Sequence, residues 1–292
     1  MEVELLRYPY LGIYVNSFRL HSASGDVLID SGLASGRSAL ECSANHDSVL
    51  LSTHGHWDHI GNHGYLQKRG VCVYAHPGDL RYYSDHTWHW EALFGQFSED
   101  FDLPAARRTT FVSEIGEEMI PEWAIADGEV LSLGDISIQV IATPGHSAGS
   151  VCYLVRETGD LFTGDSLMGE GFFGGMPQYA DSLAYRDSME KLTRLSVEKV
   201  YCDHNEPMPG SELRKKAEQG IACCERLERR VREFVAGYRG PGERMLGEAV
   251  AAVCRAEGKK PGGGICVTVL THLREMGEAD EIRLALEKHI PV

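Results

Sequence analysis

The sequence predicts an α/β fold whose reactive groups gather at strand ends, followed by a helical segment. Three observations carry this. Val49-Leu50-Leu51, a helix-compatible stretch over 60–68 and the buried-type run Val71–Ala75 give a strand, helix, strand order. Three later strands each end in a His or Asp. Beyond residue 210, charged stretches with helical periodicity replace the β-branched runs.

Taken in order, residues 10–20 and 26–30 read as strands parted by the turn residues Ser24-Gly25. Asp30-Ser31-Gly32 closes the second. Asp30 suits either an Asx-type turn or an acceptor that orients nearby ligands, and both readings stay open here. Residues 53–62, THGHWDHIGN, then hold three histidines and a carboxylate within six positions. Imidazole nitrogen and carboxylate oxygen are ligands of zinc and related metals. His54 and His56 alternate, so in extended chain both rings project to one side. Asp58 and His59 fall where the chain turns toward a helix and face a second metal. His76, alone at a strand end, reads as a hydrogen-bonded structural residue. Residues 79–124, rich in aromatics, read as a lid or pocket wall, with local helices packing a satellite core as the alternative.

Hairpins follow. Residues 129–133 and 136–141 flank Gly134-Asp135 and deliver Thr143-Pro144-Gly145-His146. Residues 151–156 and 161–163 flank Thr158-Gly159 and deliver Gly164-Asp165. After a helix over 183–195, the strand 197–202 delivers Asp203-His204-Asn205. The resulting expectation is His54, His56 and His146 for one metal and Asp58, His59 and His204 for another, with Asp165 between them.

Charge is uneven: residues 1–210 carry −17 and residues 211–292 carry +2, for a net −15. A nucleic-acid partner is disfavoured, because such proteins carry a basic footprint. Eight cysteines without C-x-x-C spacing read as reduced, packed thiols. Glu2, Glu4 and Arg7 interrupt any apolar leader, and no run approaches the length of a membrane span, so a soluble cytoplasmic protein is expected.

Leu28-Ile-Asp-Ser-Gly32, the T-H-x-H-x-D-H-x-G block at 53–61, T-P-G-H at 143–146, G-D at 164–165 and His204 together resemble the metallo-β-lactamase superfamily. The resemblance covers roughly residues 1–210. It implies an αββα sandwich with a two-metal site at one edge of the sheets, and assigns 1–210 as the catalytic domain and 211–292 as a helical C-terminal domain. It further implies two divalent ions, zinc first, with iron or manganese compatible, and a metal-held hydroxide attacking a small ester, lactone or thioester, with Asp58 as proton shuttle. Asp165, where secreted β-lactamases of this class typically use a cysteine, and His56, where flavodiiron reductases have an acid, resemble the glyoxalase II and lactonase branch. Persulfide dioxygenases with one iron share similar motifs. The tail and the stretch 164–171 resemble a lactamase-like endoribonuclease, which makes phosphodiester cleavage the alternative. A small-molecule substrate is expected, with no membrane partner, and the tail is compatible with a homodimer.

Overall fold

The computed structural model describes residues 2–97, 101, 105–168, 176–277 and 286. The first sheet holds β1 (Val3–Tyr10), β2 (Ile13–Ser22), β3 (Gly25–Ile29), β4 (Val49–Leu51), β5 (Cys72–Ala75) and β6 (Trp123–Ala124), side by side in chain order. The first three strands are antiparallel meanders and the last three join in parallel. The turn Leu11-Gly12 between β1 and β2 is left-handed at both residues (φ 46° and 83°), the geometry a two-residue hairpin requires.

The second sheet runs β12-β11-β10-β9-β8-β7, from β7 (Val130–Leu133), β8 (Ile136–Ala142), β9 (Val151–Val155) and β10 (Asp160–Phe162) to β11 (Lys199–Tyr201) and β12 (Met208–Pro209). Only β10 and β11 pair in parallel. Their connection contains α5 (Ser182–Thr193), the crossover that parallel strands need. The hairpins expected around Gly134-Asp135 and Thr158-Gly159 are both present.

Alternation along the strands builds three layers of contact. Val27, Ile29 and Leu51 pack against Ile138, Val140, Tyr153 and Phe162 between the sheets. Leu28, Leu50 and Val73 point the other way, into a cluster with α1 (His63–Gln67). On the outer face of the second sheet, Cys152, Leu161 and Val200 meet Tyr185, Met189 and Leu192 of α5. The result is the expected αββα arrangement with helices at the C-terminal end.

Those helices are α6 (Leu213–Gly237), α7 (Met245–Glu257) and α8 (Gly263–Glu275). Leu227, Val250 and Leu273, one from each, belong to the same continuous cluster as Leu28 and Leu50 of the first sheet. Helix α7 stops at Gly258, left-handed at φ 64°, and Lys259 N–H donates to Cys254 O at 2.8 Å, a closing bond that turns the chain sharply.

Two expectations change. The helix expected over 60–68 is confined to His63–Gln67. The carbonyl of His59 accepts from Ser31 N–H and the amide of Gly61 donates to Gly32 O, so the loop after β3 uses the groups that a longer helix would need. Residues 79–124 do form local helices, α2 (Leu80–Ser84), α3 (His86–Leu93) and α4 (Ala105–Glu114). Their aromatics Tyr82, Tyr83, Phe94, Phe97 and Phe111 join the main cluster rather than a satellite one, while Leu93, Phe94 and Arg107 also face the cavity described below. The end of the 164–171 stretch, from 169 on, lies outside the described residues. None of the eight cysteines is in a disulfide, and among the described residues no helix is long and apolar enough to cross a membrane.

Candidate metal centre

Four loops converge at one edge of the two sheets. The loop after β4 carries His54, His56, Asp58 and His59; those after β8, β10 and β11 carry His146, Asp165 and His204. Their ligand atoms form two clusters, His54 with His56 and His146, and Asp58 with His59 and His204, each within 4.8 Å. Asp165 faces both: its carboxylate lies 3.6 Å from His146 Nε2, 3.6 Å from His59 Nε2 and 3.4 Å from His204 Nε2. The structure thus brings all seven expected side chains together. His76 and His86 are not part of the clusters; His76 Nδ1 instead accepts from Gly78 N–H at 3.2 Å.

Four of the five imidazoles are oriented through Nδ1. His146 Nδ1–H donates to Gln178 O at 2.9 Å and His204 Nδ1–H to Tyr14 O at 2.6 Å, which leaves Nε2 as the lone-pair side of a neutral ring. His54 Nδ1 lies 3.0 Å from Thr53 Oγ1, which donates to Asp30 at 2.5 Å. His59 Nδ1 meets Asp30 at 3.2 Å and Asp203 at 2.9 Å. Asp30 therefore acts as the orienting acceptor, in a left-handed backbone conformation (φ 55°) that turns its carboxylate back onto the loop after β4.

The donor set fits metal ions. His54 Nε2, His56 Nε2 and His59 Nε2 are buried without a hydrogen-bond partner, an arrangement that costs about 1–3 kcal/mol per atom if nothing compensates it. His56 Nδ1 and His146 Nε2 stand 2.8 Å apart with the proton of His146 committed elsewhere. Burial, and then charge on neighbouring histidines, holds His54 and His56 well below the ordinary imidazole range, so both stay neutral and able to ligate. Burial opposes charge on Asp165, but His204 and His59 outweigh it and hold that carboxyl well below its usual range. Burial likewise pushes Asp203 well up.

Two residues escaped the sequence reading. Asp79, wholly buried, accepts from Gly55 N–H (2.8 Å), Ser147 Oγ–H (2.6 Å) and Gly149 N–H (2.7 Å), clamping the loop after β4 to the one bearing His146. In sequence it looks like any turn aspartate after Pro77-Gly78. Tyr10, at the end of β1, donates its hydroxyl to Asp58 in a short hydrogen bond and sets its ring edge-on to Trp57 at 5.3 Å. Only its place beside the Leu11-Gly12 turn marks it.

A model of the metallo-beta-lactamase superfamily matches residues 11–204. The chain belongs to that superfamily. A metallo-beta-lactamase family protein from Thermus thermophilus shares its fold, with a TM-score of 0.71 at 23% identity over 94% of each chain. Among curated proteins, it is 26% identical to an atrochrysone carboxyl ACP thioesterase of Aspergillus fumigatus, over 83% of this chain and 66% of that protein. It is 29% identical to the human acyl-coenzyme A thioesterase MBLAC2, over 61% of this chain and 63% of that protein. A hydroxyacylglutathione hydrolase of Brucella anthropi is also 29% identical, over 53% of this chain and 46% of its own length. The chain thus spans between about half and two thirds of these three curated relatives.

Three of the seven side chains, His56, Asp58 and Asp165, line a cavity of about 420 Å³. They reach its floor; Leu93, Phe94, Met168, Met176 and Ile265 give it apolar walls.

Proposed function

We propose that this protein is a metal-dependent hydrolase of thioesters. The observation that carries the reading is the convergence of two three-residue clusters, bridged by Asp165, on the floor of a cavity with apolar walls. Two of the similar proteins are named thioesterases and a third a hydroxyacylglutathione hydrolase, which supports a thioester over a simple ester or lactone. In this reading His54, His56 and His146 hold one divalent ion and Asp58, His59 and His204 a second, with Asp165 facing both and zinc the first choice. When bound, such ions activate water near neutral pH and polarise a carbonyl. Eight cysteines outside any disulfide support a cytoplasmic setting.

The chain's own groups do the rest. Thr53 and Asp30 hold His54, and Asp30 with Asp203 holds His59, so the ligand nitrogens are oriented before substrate arrives. The apolar walls take the acyl chain and exclude water from it. Asp58, fixed by the Tyr10 hydroxyl, accepts the proton of the attacking water. It returns that proton to the departing sulfur as the C–S bond breaks, so that water and thioester give carboxylic acid and thiol. Turnover of acyl thioesters by protein of measured metal content tests the reading. Loss of both metal and turnover in His56→Ala is expected. Full turnover in that variant, or cleavage of single-stranded RNA in place of thioesters, overturns it.

A further inference from the structure

At its open end the same cavity is lined by Arg107 of α4 and by Lys259 and Lys260, which lie in the Gly258–Gly264 segment between α7 and α8. Among the described residues none of the three makes an ion pair. In this chain of net charge −15, basic side chains such as Lys68, Arg214 and Arg232 do face carboxylates. Three cations thus line one cavity with no ion-pair partner among the described residues, an arrangement that attracts an anionic ligand. The cavity is polarised along its depth: carboxylates that attract cations at the floor, and cations that attract an anion at the mouth.

The backbone adds to this. Gly262 precedes the 13-residue α8 with no side-chain cap, and this is the end where the helix dipole favours negative charge. Gly263 is packed so tightly that a Cβ there would come within 2.8 Å of the Phe94 ring. The glycine run therefore lets this backbone form part of the wall, close to whatever enters.

We propose that Arg107, Lys259 and Lys260 form an anion subsite that takes the phosphate of a thioester whose thiol half is a phosphorylated arm. This rests on the thioesterase reading. The arm's phosphate carries one charge as the diester of a carrier protein and about two as the diphosphate of coenzyme A, and its unshared oxygens accept charge-assisted hydrogen bonds from Lys and Arg. The anion anchors at the mouth, and the thioester carbonyl reaches the floor. The shared chemistry is a phosphopantetheine arm, carried either by coenzyme A or by an acyl carrier protein.

Metal-loaded wild-type protein and a Lys259→Gln/Lys260→Gln variant are compared on acyl-coenzyme A, on acyl carrier protein, and on acyl-pantetheine, which lacks the phosphate. The preference for a phosphorylated thioester, as a ratio of kcat/KM to that for acyl-pantetheine, falls about tenfold in the variant through KM. A fall with coenzyme A or with the carrier protein supports the subsite and identifies the source. Arg107→Gln gives a similar fall, and Lys216→Gln on α6 gives none. Calorimetry with 4′-phosphopantetheine, which has no thioester to cleave, reads binding without turnover. Binding that weakens in the lysine variant while no thioester is cleaved refutes the activity and keeps the subsite. Thioester turnover with an unchanged preference and unchanged phosphopantetheine binding overturns the subsite alone.

Discussion

At the floor of the cavity the polar groups are sealed in: His56 is 4% exposed, Asp58 6% and Asp165 5%. At the rim Lys259 and Lys260 lie exposed on a glycine-rich turn. Buried charge must be neutralised by ligands and oriented by hydrogen bonds, because desolvation is unfavourable there by several kcal/mol. Exposed charge needs neither, but acts weakly and is screened by salt. The two ends of one cavity thus divide the work: the floor fixes chemistry and demands precise geometry, and the rim selects a partner molecule with little rigidity.

The sharpest way to break that division is at the floor. His56→Ala is expected to cut turnover on the order of a thousandfold, comparable to the loss of a major transition-state contact, and to lower metal content by elemental analysis. One step outward, Asp30→Ala removes the acceptor shared by Thr53 and His59. Metal affinity, read by chelator competition, should fall about 10–100-fold. Retention of wild-type affinity would show that Asp203 orients His59 unaided.

Burial also has a pH signature. Desolvation lowers His63, stacked on Tyr83, to about 4, below its ordinary 6.5. The unfolded chain therefore binds the extra proton first, so stability from this group is full above pH 6.5 and declines as pH falls toward 4. By pH 5 the loss is about 2 kcal/mol. Urea titrations at pH 7 and pH 5 measure it, and His63→Gln should remove that share of the difference. Smallest of all, KM for an anionic thioester should rise a few-fold between 50 and 300 mM salt with kcat unmoved; a comparable fall in kcat would place the screened charges at the floor instead.

The same contrast explains what could be read from sequence. Four floor residues lie within the six positions 54–59, and the others each follow a strand bounded by turn residues, so strand ends alone pointed to all seven. The sandwich was legible because its apolar runs alternate or cluster at strand length. Tyr10 was not, since its partner Asp58 lies 48 positions away and nothing local separates it from the other strand tyrosines. Asp79 acts on Ser147 and Gly149, 68 and 70 positions distant. Nothing local marks Lys259-Lys260 either, because only the fold shows which cavity they line. Chemistry concentrated in one loop leaves a pattern; chemistry assembled across loops does not.

One consequence lies in the continuous cluster that joins Leu28 and Leu50 to Leu227, Val250 and Leu273. With no solvent layer between them, the last helices and the first sheet share one opening event. Slow hydrogen exchange at the amides of α8 should then track that of β3 and β4, and a protease should release no stable core lacking residues 211–277. The segment that shapes the mouth cannot be exchanged for another without rebuilding the back of the first sheet, so any drift in preferred substrate is confined to the few rim side chains that carry no packing.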